Sequence, residues 1–153
     1  MIRRWIAPIA MLCCASGLLH AQVDPGSTAG IIPTRSVWNG VYSAAQASRG
    51  EYDYTNDECG ICHGNELEGS SGIPELAGSR FMEDWDRQSV LDLMRHMHAT
   101  PMDSPGDIGM VESAELTAFI LQQNEIPAGS SDLPVDPGVL TRIRVDALKP
   151  EAR

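Results

Sequence analysis

Cys59-Gly60-Ile61-Cys62-His63 sets two thiols and an imidazole within five consecutive residues. Two residues between the cysteines let one helical turn present both sulfurs to the same side, and the next residue follows directly on from them. This is the C-x-x-C-H pattern of covalent haem attachment, in which each thiol adds across one vinyl group of the macrocycle. His63 is then placed to bind the iron from the proximal side. The pattern predicts one covalent haem c and its iron, with Cys59, Cys62 and His63 as binding residues.

Three other readings of the same residues compete. A thioredoxin-like dithiol would follow a buried strand, whereas residues 54–58, Tyr-Thr-Asn-Asp-Glu, are polar and end a helical stretch. A structural zinc site needs four ligands, and His96 and His98, two residues apart, are poorly spaced for joint ligation on a helix. A disulfide between Cys59 and Cys62 would close too short a loop to add much stability.

The N-terminus bears on the same question. Arg3 and Arg4 precede an apolar stretch over residues 5–19, and Leu19-His20-Ala21 offers a peptidase site, so residues 1–21 read as a secretory signal. A cut after Gly17 is a second option. Lipidation at Cys13 is disfavoured by the bulky Leu12 before it. A membrane span would need roughly 20 apolar residues, and this run is shorter and broken by Pro8. Membrane association is expected only if the segment is retained, and the mature protein is expected outside the cytoplasm, in the periplasm of a bacterium. Cleavage removes Cys13 and Cys14 and leaves Cys59 and Cys62 as the only thiols, too few for a disulfide framework.

Charge narrows the partners. The full sequence has a formal net charge of -10; without Arg3 and Arg4, 9 basic residues face 21 acidic ones, a balance of -12. Nucleic acid and anionic membrane surfaces are excluded as natural partners, because both attract the opposite sign. A partner with a basic docking patch suits this chain, although acidity also serves solubility alone.

Residues 22–36 are rich in Gly, Pro, Ser and Thr and read as a flexible lead-in. Ser43-Ala44-Ala45-Gln46 has capping-box form and opens a helix running to about residue 56. Gly64, Gly69, Gly72, Gly78 and Pro74 mark residues 64–80 as loop. Val90, Leu93, Met94 and Met97 recur on one face of a helix over 89–98, ended by Thr100-Pro101. Residues 102–109 are again loop, and Leu116, Phe119, Ile120 and Gln123 define a last helix over 110–124. Residues 128–153 contain three prolines and little periodicity, so they read as an irregular tail laid over the domain or left mobile. No strand is predicted. The expected fold class is all-α, three to five helices joined by loops long enough to wrap a cofactor.

Over residues 37–127 the chain resembles the class I c-type cytochromes, most strongly in Cys-Gly-Ile-Cys-His-Gly at 59–64. The resemblance implies a cytochrome c-like fold in which an N-terminal helix ends at the motif and crosses a C-terminal helix, while loops wrap one haem. It implies that Gly50 and Tyr54 on the first helix pack against Phe119 on the last. It also implies that the Pro74 carbonyl accepts the ring N-H of His63, and that Trp85 meets a haem propionate.

Many members of this family carry the sixth iron ligand in a Met-Pro pair. Here residues 99–106 read Ala-Thr-Pro-Met-Asp-Ser-Pro-Gly, with Thr100 where that methionine belongs. Met102, in the same loop, is the expected distal ligand; His98, His96, Met97 and an open iron site are the alternatives. The implied function is electron transfer rather than enzymatic catalysis, to or from a redox partner such as an exported quinone-cofactor dehydrogenase or a terminal oxidase. The rivals are a haem c enzyme or sensor whose sixth position binds a gas or peroxide, and a haem-free dithiol or metal-binding module.

Overall fold

A computed structural model describes residues 34–57, 59–99 and 108–151. The signal-like segment, Thr100 and Met102 lie outside the described residues. Strand β1 (Arg35–Ser36) leads into a 3-10 turn at Val37–Asn39 and then helix α1 (Ala44–Asn56). Short helix α2 (Cys59–His63) carries the motif, and short helix α3 (Ser79–Asp84) follows the glycine-rich loop. Two longer helices come next, α4 (Val90–Ala99) and α5 (Met110–Gln123), and the chain closes with α6 (Pro137–Leu140) and strand β2 (Ile143–Arg144).

Local chemistry explains the boundaries. At the start of α1 the Ser43 hydroxyl accepts the Gln46 N-H at 3.0 Å, satisfying one of the donors that a helix start leaves unpaired. At α4 the capping is reciprocal: Ser89 Oγ accepts the Asp92 N-H at 3.1 Å, and Asp92 accepts the Ser89 N-H at 3.2 Å. Helix α5 starts at Gly109 with no side-chain cap and stops at Asn124, whose amide donates to the Ile120 carbonyl.

Helices α1 and α5 form the principal packing pair. They touch backbone to backbone at Gly50, where an added Cβ would sit 1.9 Å from the Glu115 carbonyl oxygen and 2.9 Å from the Leu116 nitrogen. One turn further along, Tyr54 meets Phe119 with ring centroids 5.3 Å apart. The glycine permits the close crossing, and the two rings fill the space beside it. The core around this crossing takes Leu116, Ala118 and Leu121 from α5, and Leu93 and Met94 from α4.

Three features differ from the sequence reading. Among the described residues there are six helices rather than three to five, because α2, α3 and α6 are too short to display a periodic pattern. Two strands exist, paired in parallel as Arg35 with Ile143 and Ser36 with Arg144; two residues cannot show alternation. Residues 128–151, expected as an irregular tail, hold Leu133, Leu140, Ile143 and Val145 in the core at 2% exposure or less. Gln46 anchors this segment: its side chain donates to the Leu133 carbonyl at 3.0 Å and accepts the Leu133 N-H at 2.6 Å.

Candidate cofactor site

The motif follows α1 after a short break and forms its own helical turn. Cys59 and Cys62 are both free cysteines, Cys59 buried and Cys62 exposed. The turn is two-sided. Gly60 and Ile61 border a cavity of about 390 Å³ together with Tyr54, Asn65 and Phe119, and neither cysteine nor His63 lines it. At about 100° per residue the two cysteines and the histidine fall on the side of the turn opposite Gly60 and Ile61.

Beyond His63 the chain doubles back. Gly69, at φ 69°, brings the loop so close to its return path that a Cβ there would lie 2.6 Å from the Ile73 carbonyl oxygen, a proximity that excludes a side chain in a conformation that favours glycine. Its N-H donates to the His63 carbonyl at 2.7 Å, and Ser70 and Ile73 pair with each other in both directions. The result sets the Pro74 carbonyl 2.9 Å from His63 Nδ1. A carbonyl only accepts, so in the neutral ring Nδ1 carries the proton and Nε2 keeps its lone pair. His63 is thus oriented as a one-nitrogen donor with its second nitrogen anchored, the arrangement metal-binding histidines use.

Tyr54 braces the same turn from α1. Its hydroxyl donates to the Gly64 carbonyl at 2.7 Å, and its pKa is pushed up to about 12, first by burial and then by the nearby Cys59 and Glu68.

The surroundings of Cys59 are acidic. Burial pushes the Cys59 thiol up, and the charges of Asp57, Glu112 and Asp53 push it further in the same direction. A nucleophilic C-x-x-C cysteine needs the reverse, a depressed pKa in electropositive surroundings. Among the described residues no three His, Cys, Asp or Glu side chains are grouped as a metal site.

A covalent macrocycle fits better. The thiols sit at i and i+3 on one turn, His63 presents an imidazole nitrogen beside them, and Leu76, Ala77, Met97 and Ile108 are apolar side chains only partly buried against the core. Partly uncovered apolar side chains and an oriented imidazole are both features that a flat, largely apolar ligand would use.

The remaining expected residues are placed as follows. Met102, expected to bind the iron from the distal side, lies outside the described residues. Of the alternatives, Met97 is partly buried against the core, and His98 holds the Ile108 carbonyl through Nδ1 at 2.9 Å. His96 meets the Trp85 ring edge-on at 5.4 Å, and Trp85 in turn packs on Phe81. Gly50, Tyr54 and Phe119 come together at the helix crossing.

Sequence reading passed over one group, the carboxylates beside Cys59. Asp53 and Asp57 on one side and Glu112 and Glu115 on the other are close enough to act on one another, Glu115 raising the pKa of Asp53 and Asp57 that of Glu112. The i, i+4 spacing of the first pair and the i, i+3 spacing of the second were the available signals. Arg49 is the cation that offsets them, bonded to Glu115 and to Asp132. Comparison of the chain with family models, with curated proteins and with solved structures finds no match.

Proposed function

We propose that this protein is an exported electron carrier of cytochrome c-like fold that holds one covalent haem c. The observation that carries the proposal is the C-x-x-C-H turn with its histidine ring tied to the Pro74 carbonyl at 2.9 Å. Haem c, when bound, supplies a one-electron ferric/ferrous couple. Each cysteine adds its S-H across a vinyl double bond, sulfur to one carbon and hydrogen to the other, so nothing leaves.

The chain's own residues then do three things. Cys59 and Cys62 fix the cofactor to α2, so that loss by dissociation is prevented. His63 offers Nε2 to the iron, and the Pro74 carbonyl fixes the ring's tautomer and raises its donor strength. Tyr54 and the Gly50 crossing keep α2 in register with α5. A thioether from Met102 as sixth ligand would raise the potential relative to two histidines, into a range suited to passing electrons between an exported dehydrogenase and a terminal acceptor.

Expression with haem-maturation machinery, followed by denaturing electrophoresis and haem staining, tests the attachment. Pigment is expected to stay with the chain and to be lost in Cys59→Ala/Cys62→Ala. Pigment that leaves the wild-type chain on denaturation defeats the proposal. In the ferric protein a weak near-infrared band is expected from methionine ligation, and Met102→Ala removes it. A high-spin ferric spectrum in the wild type would overturn the carrier role in favour of an open iron site.

A further inference from the structure

The edge of the domain built by β1, β2 and the closing residues carries chemistry that haem attachment does not use. A groove of about 530 Å³ opens there, and Arg35, Arg144 and Lys149 all line it, together with Trp38. The described residues include 8 basic side chains against 17 acidic ones, so three cations in one concavity run against the composition of the chain. Nor are they neutralised. Arg49, Arg80 and Arg87 each lie within ion-pair distance of a carboxylate, whereas Arg35, Arg144 and Lys149 form no ion pair with any described residue, although Asp146 and Glu151 line the same groove.

The placement follows from the fold. Parallel pairing of β1 with β2 brings Ser36 opposite Arg144 and Arg35 opposite Ile143, which draws cations from opposite ends of the chain to one site. Arg35 is steadied through a 3.1 Å hydrogen bond from its guanidinium to the Asn39 carbonyl. Trp38 donates its indole N-H to the Asp146 carbonyl at 2.8 Å, which fixes the ring as a half-buried apolar wall.

Converging cations in a concave site focus positive potential, and guanidinium groups match carboxylate and phosphate oxygens in pairs. The volume falls in the small-molecule range. Asp146 and Glu151 line the same groove and disfavour a long polyanion over a ligand with one or two oxyanion groups.

We propose that this groove binds a small molecule bearing a carboxylate or phosphate group, held by Arg35, Arg144 and Lys149 against the Trp38 ring. The site stands apart from the haem proposal and needs none of its residues.

The test is a titration of the full folded protein with citrate and, separately, with inorganic phosphate, followed through the Trp38 indole N-H resonance, with sodium chloride at matched ionic strength as the control. Saturable binding with a Kd of about 1 mM or below is expected for at least one of the two. The preferred anion distinguishes carboxylate from phosphate recognition. Arg35→Gln and Lys149→Gln should each weaken binding about tenfold, while Arg80→Gln, outside the groove, leaves it unchanged. Arg35 and Lys149 are both exposed, so these variants are expected to keep the wild-type melting temperature. Responses to citrate and phosphate no different from chloride, or titrations of both variants that match the wild type, would overturn the proposal.

Discussion

Asp53 carries its Oδ2 atom buried and without a hydrogen-bond partner. Burial is the largest cause of its raised pKa, followed by the charge of Glu115 and the hydrogen bond shared with it, while Arg49 pulls the other way. Glu112 is raised in the same manner, by burial and then by Asp57. A carboxyl whose folded-state pKa exceeds its unfolded value binds its proton more readily in the native state. Its contribution therefore favours folding toward acid and is withdrawn as pH rises through the folded value. Asp132 behaves oppositely: the Ser43 hydroxyl and Arg49 hold it below the usual carboxylate range, so its stabilisation is present at neutral pH and lost as pH falls through the depressed value. Asp53→Asn removes a charge that the site penalises and supplies an N-H for Glu115. It should stabilise the protein by about 1 kcal/mol near pH 7, with a smaller gain at a second, acidic pH, where the wild-type carboxyl takes up its proton. Urea unfolding at the two pH values measures this, and a gain of equal size at both would contradict the assignment.

At the scale of elements, the joint between α1 and residues 128–151 has one buried polar side chain at its centre, with Ser43 and Arg49 bonding Asp132 at its exposed margin. Gln46 is 3% exposed and pairs with both backbone groups of Leu133, as a neighbouring strand would. Gln46→Ala leaves a buried N-H and a buried C=O unpaired, each costing about 1–3 kcal/mol, so a loss of about 3 kcal/mol is expected in denaturant unfolding. The Leu133 amide should lose hydrogen-exchange protection beyond the global change. A loss below about 0.5 kcal/mol would show that the joint is made elsewhere. This contact also marks where the sequence stopped being legible. Helices α1, α4 and α5 were readable within a residue or two, since their apolar spacing and the caps at Ser43 and Ser89 are local signals. The loop that turns His63 toward Pro74 was readable through the family resemblance and its glycines. Leu133, Leu140, Ile143 and Val145 were not, because their burial depends on partners some 90 residues away and they follow no helical or strand period. Gln46 itself was read as half of a capping box, whereas its amide is spent on the longer-range pair.

Across the whole molecule, charge is unevenly spread. Carboxylates crowd the end of α1 and the start of α5 beside the motif, while Arg35, Arg144 and Lys149 gather at the β1–β2 edge. For a carrier that exchanges electrons near its attachment turn, the acidic field is the one a partner meets first, and the formal net charge of -10 reinforces it at a distance. Small redox reagents can probe that field without a known partner. If the protein carries the proposed haem, its oxidation from the reduced form by tris(1,10-phenanthroline)cobalt(III), a cation, should slow about tenfold between roughly 10 mM and 200 mM salt, since screening removes the attraction. Oxidation by hexacyanoferrate(III), an anion, should quicken over the same range. If the groove cations governed electron exchange instead, hexacyanoferrate would be drawn in and slowed by salt, and Arg35→Gln would lower its low-salt rate. Opposite salt slopes for the two reagents, unchanged by Arg35→Gln, would place the exchange point on the acidic side of the molecule, away from the basic groove.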